Sequence, residues 1–106
     1  MPVVRTKDLD ELRMLIRSND KVVAYFYFEW SRNCQAVEPK FDKLVDEYDD
    51  IVFIYVNIAN QEAIIKKYGI TVIPTFKFFE HSVEVGQLAE ANDCALEEGI
   101  KLLASS

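Results

Sequence analysis

The sequence is short of the residues that build special architectures. It has three glycines and three prolines in 106 residues, which excludes collagen-like and low-complexity chains. A single histidine and two well-separated cysteines, Cys34 and Cys94, leave no multi-cysteine zinc motif, so no metal and no cofactor is expected. The longest apolar runs, Val22–Phe28 and Ile51–Val56, are strand-sized. A membrane helix needs about 20 apolar residues, so no membrane span is expected. Positive charge is also scarce. Twelve Lys and Arg face eighteen Asp and Glu, for a net charge of −6, and the cations form no stripe, which argues against a nucleic-acid partner. The first residues, MPVVRTKDLDEL, contain no apolar leader, so no signal peptide is expected. Unpaired thiols without a leader fit a reducing, cytoplasmic setting.

What the chain does have is core-forming material, with 50% hydrophobic and 12% aromatic residues. That content and length fit one domain over residues 1–106. Val3-Val4-Arg5 reads as a short strand. Asp8 with Glu11 forms a capping-box pattern ahead of a helix to Ser18, whose apolar face is Leu9, Leu12, Leu15 and Ile16. Val22–Phe28 is apolar on both faces, as a central strand is. A second helix is expected over Arg32–Tyr48, with Pro39 inside it as a kink. Ile51–Asn57 is a second central strand, and Gln61–Tyr68 a short helix stopped by Gly69. Thr75–Glu80 and Val83–Leu88 form a hairpin about His81-Ser82, and Asn92 caps a last helix over Asp93–Ala104. The order βαβαβαββα predicts parallel central strands, an antiparallel closing hairpin, and helices on both sheet faces.

The informative segment is Phe28-Glu29-Trp30-Ser31-Arg32-Asn33-Cys34, which joins a buried strand to the start of a long helix. Sites in open α/β sheets form at the carboxyl ends of central strands. A helix start adds unpaired N–H groups that stabilise a thiolate. With Trp30, Cys34, Pro39 and the stretch Tyr68-Gly69-Ile70-Thr71-Val72-Ile73-Pro74-Thr75-Phe76 at these spacings, the chain resembles the thioredoxins over nearly its whole length. The tail from Phe78-Phe79 through Val85-Gly86 to Ala91-Asn92 is most similar to the cytosolic eukaryotic members. The resemblance implies an α/β thioredoxin-like fold, a central mixed five-stranded sheet flanked by four helices. It also implies a cis Pro74, and a surface of Trp30, Ile73, Pro74 and Ala91 that binds protein or peptide partners.

The same resemblance exposes departures. The family motif is Trp-Cys-Gly-Pro-Cys, and here Ser31 stands at the nucleophilic first cysteine and Arg32-Asn33 at Gly-Pro. The family's buried acid, which relays a proton to the second cysteine, corresponds to Tyr25, and its lysine partner to Tyr55. Nucleophile, relay and charge partner are therefore all replaced, which implies impaired dithiol–disulfide reduction. Ser31 reads most simply as a helix cap whose hydroxyl oxygen accepts the N–H of Asn33 or Cys34. Cys34 reads either as a monothiol that exchanges with partner disulfides or glutathione, or as a half-buried structural thiol. Tyr25 is expected beneath the site, donating to a backbone carbonyl. Cys94 reads as a solvent-side residue, and the acidic pairs Asp42/Asp46 and Glu97/Glu98 as solvated helix faces. Two functions remain open: monothiol exchange through Cys34, or a redox-silent binding module. The apolar residues about Trp30 are compatible with a monomer or a weak homodimer.

Overall fold

A computed structural model of the chain describes residues 3–106. Met1 and Pro2, the start of the stretch on which the signal-peptide expectation rests, lie outside the described residues. The elements are β1 (Val3–Thr6), α1 (Leu9–Ser18), β2 (Lys21–Tyr27), α2 (Arg32–Val45), β3 (Val52–Asn57), α3 (Glu62–Tyr68), β4 (Thr75–Glu80), β5 (Val83–Leu88) and α4 (Asp93–Ala104). Together they form one five-stranded sheet in the order β1-β3-β2-β4-β5. β3 pairs in parallel with β1 and β2, whereas β4 runs antiparallel to β2 and β5 antiparallel to β4. This is the mixed sheet with four helices that the element order predicts.

β2 and β3 are central because both of their faces are apolar, and an apolar face is stable only when another layer covers it. One layer joins Leu12 and Ile16 of α1 and Ile64 of α3 to Ala24, Phe26, Ile54 and Val56 of the sheet. The other joins Val37, Phe41 and Leu44 of α2 and Leu96 and Ile100 of α4 to Val23, Tyr25, Phe53, Tyr55 and Phe76. Alternate residues of each strand divide between the two cores, as the two-residue period of a strand requires.

Local chemistry sets the element ends. α1 starts at the expected Asp8 cap, whose carboxylate accepts the Glu11 N–H at 3.3 Å. The reciprocal half of the capping box is routed differently. The Asp8 N–H donates to the Thr6 hydroxyl, and that hydroxyl donates to the Glu11 carboxylate. α2 ends at Val45, short of the expected Tyr48, because the Asp46 and Glu47 N–H groups reach back only three residues, to the Lys43 and Leu44 carbonyls. Tyr48 nonetheless packs against the core. Pro39 lies inside α2, where it withholds the N–H that the Gln35 carbonyl would accept. α3 closes on Gly69 at φ 64°, with the Ile70 N–H bonded to the Ile65 carbonyl. His81 and Ser82, at φ 52° and 71°, supply the two left-handed residues of a tight hairpin turn.

Candidate functional site

Strand register gathers three loops at one end of the sheet. Phe26 pairs with Thr75 and Phe76 with Leu88. The segment after β2, the segment before β4 and the segment after β5 therefore emerge together, carrying Trp30, Ile73-Pro74 and Ala91. The first of these is held in place by its own bonds. The Ser31 N–H donates to the Phe28 carbonyl at 3.3 Å. The Gln35 amide donates to the Glu29 carbonyl at 2.9 Å, and the Asn57 amide to the Glu29 carboxylate at 3.2 Å. The Trp30 ring stacks on Phe28 with centroids 4.6 Å apart, yet the residue is 71% exposed. A large indole held in water by a fixed loop is an available anchor for a partner.

Ser31 caps α2. Its hydroxyl oxygen accepts the Cys34 N–H at 3.3 Å and its carbonyl accepts the Gln35 N–H at 3.0 Å. Replacing Ser31 with Ala is expected to cost about 1 kcal/mol of stability, measured by urea denaturation, the ordinary worth of such a cap. A loss under a few tenths would show that the hydroxyl caps nothing in solution.

Cys34 sits in the first turn of the helix and is 1% exposed, more deeply enclosed than a half-buried thiol. Both cysteines are free thiols, Cys94 being exposed at the start of α4. Beneath Cys34 lies Tyr25, fully buried between stacked Tyr27 and Phe76 rings at 4.9 Å each. Its hydroxyl has two acceptors, the Cys34 carbonyl at 3.4 Å and the Glu38 carboxylate at 3.0 Å. The expected backbone acceptor is therefore present, and an acid one helical turn beyond Cys34 is a second, nearer acceptor. Burial, reinforced by the Cys34 and Glu38 charges, pushes the Tyr25 phenol far above its ordinary value.

Tyr55, paired with Tyr25 across β2 and β3, repeats the arrangement. It donates to the Asp42 carboxylate at 2.5 Å, and the Arg5 guanidinium lies 4.2 Å from its ring centre. Burial and then Asp42 raise its phenol as well. Asp42 is therefore not simply a solvated helix face, and neither is Glu97, which pairs with Lys40 at 2.8 Å. Glu38 and Asp42 border a cleft of about 410 Å³ with Arg5, Tyr27 and Glu29. The spacing Cys34, Glu38, Asp42 puts these groups on one helix face, which was the available signal for both acids.

The remaining expected residues divide by exposure. The Ile73–Pro74 peptide bond is cis. The Pro74 side chain is buried and Ile73 half-buried, so the outward apolar group of that loop is Val72, 47% exposed and not among the surface residues expected from the sequence. Ala91 is exposed beside the Asn92 cap. His81 lies at the opposite end of the sheet, 3.5 Å from Asp20. Among the described residues no group of His, Cys, Asp and Glu could hold a metal ion, and no helix is long and apolar enough to cross a membrane.

The sequence model of the Thioredoxin family matches residues 3–102. Mitochondrial thioredoxin-3 of Saccharomyces cerevisiae is 34% identical over 99 residues, covering 93% of this chain and 78% of that protein. The crystal structure of its oxidised form superposes with a TM-score of 0.89 at 35% identity, covering 95% of each chain. A structure bearing on thiol resolution of yeast mitochondrial 1-Cys peroxiredoxin through the glutathione and thioredoxin systems gives 0.90 at 34% identity, again over 95% of both.

Proposed function

The chain belongs to the thioredoxin family, and from that premise we propose that it is a protein-docking member in which dithiol reduction is impaired. The observation that supports this reading is a contrast in exposure. Trp30 is 71% exposed on a bonded loop, whereas Cys34 is 1% exposed and Ser31 occupies the position of the family's attacking thiol. A buried thiol with no second thiol beside it is a poor exchange group. The three loops, by contrast, retain a recognition surface. Ile73 lies outside both strand registers of β4, which leaves its backbone free to pair with an extended segment of a partner. Trp30 and Val72 supply apolar contact to either side.

Monothiol exchange through Cys34, with glutathione resolving the mixed disulfide, is the second reading. It draws on the placement of Cys34 in the first turn of α2, at the position of the family's second cysteine, and on the glutathione context of the yeast structure. Free thiols suit the cytoplasm, and equally the mitochondrial compartment for which the yeast relative is named.

Partner capture under reducing conditions separates the two readings. Trp30→Ala is expected to weaken recovery of bound proteins substantially, since losing a central aromatic anchor costs about 2 kcal/mol or more. Cys34→Ser is expected to leave recovery nearly unchanged. Capture that survives Trp30→Ala but is abolished by Cys34→Ser or by dithiothreitol would establish thiol exchange instead.

A further inference from the structure

A second surface lies at the other end of the sheet. The β4–β5 turn sits beside the start of β2, because Glu80 pairs with Lys21 and the His81 N–H donates to the Asp20 carbonyl at 2.8 Å. The Trp30 and Pro74 loops leave from the opposite end. Between this turn, α1 and α3 runs a cleft of about 350 Å³. Its floor is apolar, formed by Ile16, Tyr68 and Phe79, and its walls carry Arg13, Arg17 and Lys67.

The charge of those walls runs against the charge of the molecule. The chain has a net charge of −6. Even so, among the described residues none of Arg13, Arg17 and Lys67 forms an ion pair, the pairs present being Lys40–Glu97, Lys77–Glu84 and His81–Asp20. Arg13 and Arg17 are one helical turn apart and project from the same face of α1. Lys67 approaches from the last turn of α3. The one acid at the cleft, Glu84, is already engaged by the buried Lys77 at 2.9 Å. Two helices thus present three exposed cations around an aromatic and aliphatic floor, and among the described residues no carboxylate forms an ion pair with them.

We propose that this cleft docks an acidic segment of a partner protein, one in which carboxylates flank an apolar or aromatic residue. The cations meet the carboxylates, and the Ile16–Tyr68–Phe79 floor takes the apolar side chain. A partner held here leaves the Trp30 end of the sheet free, so one chain can bridge two segments. A second copy of this chain is the less favourable occupant, because two molecules of charge −6 repel one another.

Fluorescence polarisation with a labelled peptide of glutamates flanking a central Leu-Phe pair tests the assignment. The peptide is expected to bind, and to weaken steeply with added salt. Exposed ion pairs are each worth up to about 1 kcal/mol, so Arg13→Glu with Arg17→Glu is expected to weaken binding by roughly tenfold or more. Lys101→Glu, at an exposed position of α4, makes a charge reversal away from the cleft and is expected to change binding less than about twofold. Equal binding of a glutamine-for-glutamate peptide, or equal weakening by Lys101→Glu, would overturn the assignment. So would full displacement by inorganic phosphate at matched charge, which would leave a simple anion site. Salt-sensitive self-association abolished by the Arg13/Arg17 reversal, with no peptide binding, would give the cleft to a second copy instead.

Discussion

In an insulin reduction assay driven by dithiothreitol, the unmodified protein is expected to run at the uncatalysed rate. Catalysis there requires a thiolate to attack the substrate disulfide, forming a mixed disulfide. A second thiol must then expel the reduced substrate and close a disulfide in the enzyme, which dithiothreitol reopens. Ser31 offers a hydroxyl already committed as the cap of α2, and it cannot form a disulfide. Cys34 is enclosed, and the other free thiol, Cys94, lies exposed on α4. Ser31→Cys is expected to raise turnover clearly above background, since a cysteine at a helix start with a pKa near ~7 is about half ionised at neutral pH. The gain should stop short of a dithiol thioredoxin. The group beneath Cys34 is Tyr25, a phenol that holds its proton far above neutral pH and so accepts none from the thiol. Robust turnover by the unmodified protein would refute the proposed impairment.

The second large effect is expected at alkaline pH. Tyr25 and Tyr55 are buried, and both phenols are raised above their ordinary value of 10.0 in the folded state, chiefly by burial. Below pH 10 both are protonated whether the chain is folded or not, so they give stability no pH dependence. Above pH 10 the unfolded chain releases these protons while the folded chain keeps them, and stability falls as pH rises. Each phenol contributes about 1.4 kcal/mol per pH unit in that window. That loss is drawn from a total stability of only ~5–15 kcal/mol for a typical domain. Denaturant midpoints measured from pH 8 to 12 are expected to hold and then drop steeply. Tyr25→Phe with Tyr55→Phe is expected to lose about 1 kcal/mol per hydrogen bond at neutral pH. The same variant should flatten much of the alkaline decline. An unchanged alkaline slope in the double variant would show that other groups control it.

The nine elements were readable because apolar runs, helical apolar spacing and local cap and turn residues each marked some of them. β2 is apolar at successive positions, and α1 and α2 repeat apolar residues at helical spacing. Element ends were less legible, as α2 shows. Its apolar series extends to Tyr48, but backbone bonding shifts to three-residue spacing after Val45. Ser31 as a cap was legible because capping is local, its donor lying three residues on. Glu38 and Asp42 were not, because an acid on a helix reads as solvated until a strand from elsewhere brings a phenol beneath it.

The sequence by itself determined the family, the element order and the identities that depart from the family motif, since these reside in residue type and spacing. Tertiary structure decided which groups meet. The parallel register of β2 and β3 sets Tyr25 beside Tyr55, and packing under α2 gives their hydroxyls Glu38 and Asp42 as hydrogen-bond acceptors. It also buried Pro74 and Cys34 while leaving Trp30 and Val72 in water. The physical reason is that burial and pairing depend on distances between residues far apart in the chain. Those distances are fixed only when both faces of the sheet are covered and each buried polar group has found a partner.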